Sequence, residues 1–155
     1  WSGKYLNYSK EHRLLAPQAG AMGAGVPAAL AAKSIYPNRQ VICFAGDGDF
    51  QMSASELGTA MQEGLNPIIL IHNNGSYGTI RMHQEMRYPK RVSGTNLKNP
   101  NFKCIAEAYN FGYSKITNLS EFKVAFEKAK TFDVGFIIEM LADIKDISPG
   151  KIIDL

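Results

Sequence analysis

Two short polar turns hold the side chains best suited to chemistry. Gly46-Asp47-Gly48-Asp49 ends the apolar run Val41-Ile-Cys-Phe-Ala45, and Asn73-Asn74-Gly75-Ser76-Tyr77-Gly78 ends the run Pro67-Ile-Ile-Leu-Ile-His72. Asp47 offers a hard carboxylate oxygen and Asn74 a hard amide oxygen, donors that suit Mg²⁺ or Ca²⁺ rather than a soft metal. Mg²⁺ takes few protein ligands and completes its octahedron with phosphate oxygens and water. Glycines on both sides of Asp47 let the backbone approach a ligand closely and turn N–H groups toward phosphate. A helix N-terminus after each turn adds a field that favours an anion. Together the donors point to a metal-bridged diphosphate.

The elements that must position these turns follow from the pattern along the chain. Residues 1–22 read as irregular and end in the small-residue run Gln18-Ala-Gly-Ala-Met22. Residues 23–35 form an Ala-rich helix with Pro27 in its first turn, where a missing N–H is tolerated, and Pro37-Asn38 is a turn. Residues 41–46 lack polar alternation, which predicts a strand buried on both faces. Ser53-Ala-Ser-Glu56 fits a capping box, so a helix is expected from 54 to 63, stopping at Gly64. Residues 67–72 are a second buried strand, and 79–87 a helix. Residues 88–100 are expected to form a surface loop. Asn101 caps a helix to Tyr109, 113–116 is a short strand, 119–130 a helix, 134–141 the last strong strand, and the tail from Asp143 a loop with Pro149-Gly150.

Strands alternating with helices predict an α/β fold: a three-layer, doubly wound, mostly parallel sheet with helices on both faces, as one domain over residues 1–155. In such a sheet ligands bind beyond the carboxyl ends of the strands, so the two polar turns are expected on one edge.

The spacing narrows the chemistry. Asn74 follows Asp47 by 27 residues, one loop, helix and strand. Gly-Asp-Gly, this gap, then Asn-Asn resembles the cofactor signature of thiamine-diphosphate-dependent enzymes. The resemblance implies that Mg²⁺ is held by the Asp47 side chain, the Asn74 side chain and the main-chain carbonyl of Ser76. Gln18-Ala-Gly20-Ala-Met22-Gly-Ala-Gly-Val-Pro27 resembles the segment beneath the aminopyrimidine ring in the acetolactate synthase branch. There a bulky apolar side chain wedges between the two rings and bends the cofactor. Met22 falls at that position, with main-chain groups near Gly20 and Met22 bonding the pyrimidine. Gln18, Gly20, Met22, Gly46, Asp47, Gly48, Asp49, Asn74, Ser76, Tyr77 and Gly78 are the residues the resemblance assigns to the cofactor.

The resemblance covers residues 14 to 150 as the diphosphate-binding domain, closest to acetolactate synthase-like, benzaldehyde lyase-like and oxalyl-CoA decarboxylase-like enzymes. It implies decarboxylation of a 2-keto acid followed by protonation or carboligation. Thr79-Ile-Arg-Met-His83-Gln-Glu85 departs from typical biosynthetic acetolactate synthases, which carry a Gln-Trp pair there. The family's activating glutamate comes from a separate pyrimidine-binding domain, usually of a partner subunit, so no catalytic residue is assigned here; Glu56 and Glu63 lie in the wrong place. The chain, which starts at Trp1, is expected to be a C-terminal segment of a longer, homo-oligomeric enzyme (dimer or tetramer) and inactive alone. A non-catalytic Mg²⁺–diphosphate or subunit-interaction module is the alternative.

Bulk properties bound the other readings. The 155 residues are 45% hydrophobic and 20% charged, enough for one core, with net charge +3. The basic excess is scattered apart from Arg81, Arg87, Lys90 and Arg91, which read as a solvated face, so no nucleic-acid surface is expected. No apolar run is long enough to span a membrane, and Trp1-Ser-Gly-Lys4 shows no leader pattern. Cys43 and Cys104 read as buried free thiols in a reducing, cytoplasmic setting. A phospho-acceptor domain lacks the further acidic residues and lysine it needs. Gly20-Ala-Met-Gly23-Ala-Gly25 follows no strand, as a dinucleotide motif must. Asp49 is expected to face a diphosphate through its backbone with its carboxylate in solvent. Asn73 is expected to fix its turn, His72 and His83 to be structural, and Tyr5 and Tyr8 to pack on another domain.

Overall fold

The computed structural model describes residues 2–148 and 151–152. In chain order the elements are α1 (Ser2–Tyr5), α2 (Gly25–Ile35), β1 (Ile42–Gly46), α3 (Asp47–Gln51), a 3₁₀ turn (Ala54–Glu56), α4 (Leu57–Gln62), β2 (Ile68–Asn73), α5 (Gly78–Arg87), α6 (Phe102–Ala108), β3 (Gly112–Ile116), α7 (Leu119–Lys130), β4 (Phe136–Leu141), β5 (Asp146–Ser148) and β6 (Lys151–Ile152). The main sheet has the order β1-β2-β4-β3, and every pairing in it is parallel. Helices cover both faces, as the alternation of elements predicts.

Strand alternation divides the core. Cys43, Ala45, Ile69, Ile71 and Ile137 point to the face covered by α2, α3, α4 and α6, where Val26, Leu30, Phe50, Leu57 and Phe102 pack on them. Ile68, Leu70, Phe136 and Ile138 point to the other face, where Ala125 and Ala129 of α7 cover them. Burying one such Leu, Ile or Phe side chain stabilises by roughly 1.5–3 kcal/mol, so β2 and β4, buried on both faces, hold the centre.

Four expectations are corrected. β1 is not buried on both faces: it is the edge of the described sheet, and Phe44 remains 47% exposed. The reason is that α7 packs over β3 and β4 and leaves that end of its face uncovered. The capping box at Ser53 does not form. Ser53 makes no side-chain cap bond, and Glu56 accepts instead from Thr59 Oγ1 at 2.9 Å, so the segment opens as a 3₁₀ turn. The tail after Asp143 is not all loop, because β5 and β6 pair antiparallel; Pro149-Gly150 lies outside the described residues. The first residues hold one helical turn, α1.

Two helix starts follow from capping chemistry. Asn101 accepts from the N–H groups of Lys103 (3.0 Å) and Cys104 (3.3 Å) at the start of α6. Asn118 accepts from Glu121 N–H at 3.0 Å, and Glu121 in turn accepts from Thr117 N–H at 2.7 Å. Those bonds hold the Glu121 carboxyl below its usual range, the Thr117 backbone bond contributing most. Gly64, at φ +63°, closes α4 in the left-handed conformation.

Candidate functional site

β1 and β2 are adjacent and parallel, with Gly46 opposite His72. Their following turns therefore emerge side by side, and a hydrogen bond joins them: Gly75 N–H donates to Asp47 Oδ2 at 2.8 Å. Asp47 itself begins α3, after Gly46 in extended conformation. Its side chain is only 1% exposed.

The two oxygens of Asp47 are not equivalent. Oδ2 accepts twice, from Gly75 N–H and from Asn99 Nδ2 at 2.6 Å. Oδ1 accepts from the adjacent Gly48 N–H at 3.0 Å. Oδ1 is thus the oxygen with capacity left for another partner. The ion pairs among the described residues are Lys103–Glu107, Lys115–Glu139 and Lys130–Glu127, none of them on Asp47. A buried carboxylate held by neutral donors carries charge that calls for a cation. The donor set fits Mg²⁺ on this ground. No cluster of three or more His, Cys, Asp or Glu occurs among the described residues.

The second turn is built locally. Asn74 Oδ1 accepts from Ser76 N–H at 3.0 Å, and Asn73 Oδ1 from Gly75 N–H at 3.2 Å, so both asparagines shape the backbone that follows them. Gly75 takes φ +66°, a conformation that favours glycine. Ser76 is buried and donates from Oγ to the Thr95 carbonyl at 2.8 Å, which also accepts from Tyr77 N–H at 2.9 Å. Leu97 N–H donates to the Gly75 carbonyl at 2.8 Å. The 88–100 segment is therefore more than a surface loop: Thr95 is buried and the segment straps the turn.

Glycine at 48 has a packing cause. A Cβ there would lie 2.4 Å from Tyr77 Cε1 and 2.9 Å from Leu97 Cδ1. At Gly78 a Cβ would meet Asn74 Nδ2 at 2.8 Å. Gly46 leaves room: its nearest neighbour would be the Asp49 Cβ at 3.8 Å.

The third segment joins the same edge. Gly23 N–H donates to Asp49 Oδ1 at 2.5 Å, tying the glycine-rich loop to the start of α3. This corrects the expectation that the Asp49 carboxylate lies in solvent; Asp49 is half-buried, and its side chain holds the loop. Met22, one residue before, is 41% exposed on that loop, and Gln18 and Gly20 are exposed on the segment leading into it. Gly20 and Gly23 both take positive φ.

The remaining candidates lie around the site or away from it. His72 is half-buried on β2, and burial lowers its pKa despite the opposing pull of Asp47. His83 is exposed on α5. Arg81 is half-buried and donates to Asn96 Oδ1 at 2.9 Å, whereas Arg87, Lys90 and Arg91 are exposed. Cys104 is exposed, contrary to expectation, because it lies on the outer side of α6 beside its N-cap; Cys43 is buried. A cleft of about 240 Å³ lined by Lys33, Arg39, Asn66 and Phe132 lies at the opposite ends of the strands, away from Asp47.

Sequence reasoning missed Asn99, Tyr113 and Glu139. Asn99 bonds Asp47 and also Asn73 Oδ1 at 2.8 Å. Glu139 accepts from Asn73 Nδ2 at 2.7 Å and from the Tyr113 hydroxyl. For Glu139 a signal existed: one acid inside the otherwise apolar Phe136–Leu141 run.

The family described as "Thiamine pyrophosphate enzyme, C-terminal TPP binding domain" matches residues 1–140. The acetolactate synthase large subunit of Porphyra purpurea is 34% identical over 158 residues, covering 97% of this chain and 27% of that protein. The large subunit from Lactococcus lactis subsp. lactis is 38% identical over 120 residues, covering 76% and 21%. Among solved structures, the thiamine diphosphate-dependent 4-hydroxybenzoylformate decarboxylase of Rhodococcus jostii RHA1 superposes with a TM-score of 0.76 at 30% identity, covering 81% and 24%. The chain thus spans about a quarter of the length of these relatives. With its parallel sheet, its paired polar turns and this match, the chain belongs to the C-terminal TPP-binding domain family of thiamine pyrophosphate enzymes, acetolactate synthase-like in sequence.

Proposed function

We propose that this chain holds thiamine diphosphate through a Mg²⁺ ion bound by Asp47, Asn74 and the main chain of Ser76, within a larger enzyme that acts on a 2-keto acid. The observation that carries this reading is the Gly75–Asp47 hydrogen bond at 2.8 Å, which unites two turns far apart in sequence. The buried charge of Asp47, which forms none of the ion pairs among the described residues, supplies the attraction for the cation. The cofactor, when bound, supplies the carbanion chemistry that lets a 2-keto acid lose CO₂.

The chain's own residues bind and orient. Asp47 Oδ2, fixed by two donors, holds Oδ1 in one place. Asp49 fixes the loop that carries Met22, whose exposed apolar side chain supports its reading as the wedge between the two rings. Tyr77, packed over Gly48, closes the space between the turns. A separate pyrimidine-binding domain, from a partner subunit of a homo-oligomer, would complete the site and bring the activating glutamate. The acetolactate synthase and decarboxylase relatives support a decarboxylating or carboligating parent.

The test is calorimetric titration of thiamine diphosphate with and without Mg²⁺ into the full-length protein, beside Asp47→Ala. Mg²⁺-dependent binding that disappears in the variant is the expected result. Binding of the wild type that is indifferent to Mg²⁺, or no binding at all, would overturn the metal–diphosphate reading. Binding without turnover of any 2-keto acid would instead favour a non-catalytic module.

A further inference from the structure

We infer that Glu139 is a positioning residue for the metal–diphosphate turns: it sets the donor direction of two amide side chains that end on Asp47. The inference rests on the Mg²⁺–diphosphate reading above and adds to it a residue from the middle of the sheet.

Glu139 lies on β4 between Ile71 of β2 and Lys115 of β3. It is buried within an apolar strand, where an acid is costly unless its oxygens are satisfied. Oε2 accepts from the Tyr113 hydroxyl and Oε1 from Asn73 Nδ2 at 2.7 Å. The Lys115 ammonium stands 3.6 Å from Oε1, its side chain half in solvent.

An ionised carboxylate only accepts. Asn73 must therefore turn its NH₂ toward Glu139 and its carbonyl oxygen the other way. That oxygen accepts from Gly75 N–H at 3.2 Å and from Asn99 Nδ2 at 2.8 Å. Asn99 must then present its NH₂ as well, and the same nitrogen reaches Asp47 Oδ2 at 2.6 Å. Gln51 Nε2 donates to the Asn99 oxygen at 2.9 Å, which agrees with this orientation. The direction is fixed at both ends by groups of unambiguous character, a backbone N–H and a carboxylate. Were Asn73 reversed, its NH₂ would face the donors of Gly75 and Asn99, and the Gly75–Ser76 backbone would lose its anchor. The acid on β4 thus supports, through Asn73 and Asn99, the second of the two donors on Asp47 Oδ2, beside Gly75 N–H, with Oδ1 left for the metal.

A purely structural acid would affect stability alone, so the test reads the metal. In the full-length protein, the apparent Mg²⁺ affinity is measured by calorimetry at fixed thiamine diphosphate, with circular dichroism confirming the fold. Replacing a group behind a metal ligand costs about 10- to 100-fold in metal affinity, and Glu139→Leu is expected to fall in that range. Asn73→Asp, which sets two carboxylates against each other, is expected to lose a similar factor. Combining it with Glu139→Gln exchanges donor and acceptor while keeping the direction of the chain, and is expected to recover most of the loss. A folded Glu139→Leu protein with wild-type Mg²⁺ affinity would overturn the inference and leave the metal reading standing. If Glu139→Leu does not fold, the exchanged pair decides: a folded double variant no better than Asn73→Asp alone overturns it. Failure of the wild type itself to bind Mg²⁺ with thiamine diphosphate would overturn the metal reading, and this inference with it.

Discussion

Asn99 donates its side-chain amide to Asp47 Oδ2 at 2.6 Å, across 52 residues of sequence, and to Asn73 Oδ1 at 2.8 Å. One nitrogen thereby bridges the turn after β1 and the end of β2. Removing it leaves one buried acceptor, on Asp47, and one part-buried acceptor, on Asn73, each short of a donor. Asn99→Ala is expected to cost about 1–3 kcal/mol in urea unfolding. It should also weaken Mg²⁺-dependent thiamine diphosphate binding by about tenfold or more. Wild-type values for both in a folded variant would show that the bridge is incidental.

Gly48 makes a separate prediction. A methyl group there would enter the Tyr77 ring, with a Cβ 2.4 Å from Cε1. Overpacking of this kind costs about 1–3 kcal/mol, so Gly48→Ala should unfold at lower denaturant. Because the clash is with Tyr77, Gly48→Ala combined with Tyr77→Ala should cost less than the two single changes added together. Additive costs in the double-mutant cycle would place the strain elsewhere.

How much of this was legible beforehand depended on whether the cause was local. β2 and β4 stand out in the sequence because their runs are apolar and the structure buries both faces. β1 reads the same way, yet Phe44 is exposed: an apolar pattern says that a face can be covered, not that anything covers it. α3 could not be read from Asp-Gly-Asp, poor helix formers. It forms because Phe50 is drawn fully into the core, edge-on to the Phe102 ring at 5.7 Å. Asp47, Asn74 and the glycine loop were legible because turn chemistry and spacing mark them. Asn99 was not, since nothing in an Asn-Pro dipeptide says which distant carboxylate it meets. Glu139 lay between the two cases. Its charge within an apolar strand announced a partner, and only the fold names Asn73 and Tyr113.

The cysteines differ in a way that thiol titration can read. Burial, with the nearby Asp49 charge adding to it, pushes the Cys43 thiol up to about 12. Only the thiolate reacts readily, and Cys104 is exposed. Near pH 8 the native chain should show one reactive thiol by disulfide-exchange reagent, and two after denaturation. Cys104→Ser should abolish the native signal. A fast native reaction in that variant would mean that Cys43 is reachable, and that the α2–β1 packing opens on the timescale of the assay.

Tyr113 gives the pH dependence. Burial, then the hydrogen bond to Glu139 and its negative charge, raise the Tyr113 hydroxyl well above its usual range. A group whose pKa is raised on folding contributes stability that is complete below its unfolded value, about 10 for tyrosine. That contribution is lost as pH rises beyond it toward the folded value, because only the unfolded chain then gains by releasing the proton. Tyr113→Phe removes both the bond and the titration. The wild type should therefore be the more stable by a constant margin below about pH 9, with the margin narrowing steadily above pH 10. Urea unfolding of the two proteins from pH 7 to the alkaline limit measures this directly. A margin unchanged across the alkaline range would mean that the hydroxyl ionises in the folded state as it does in the unfolded one, and that Glu139 is not held by a neutral phenol.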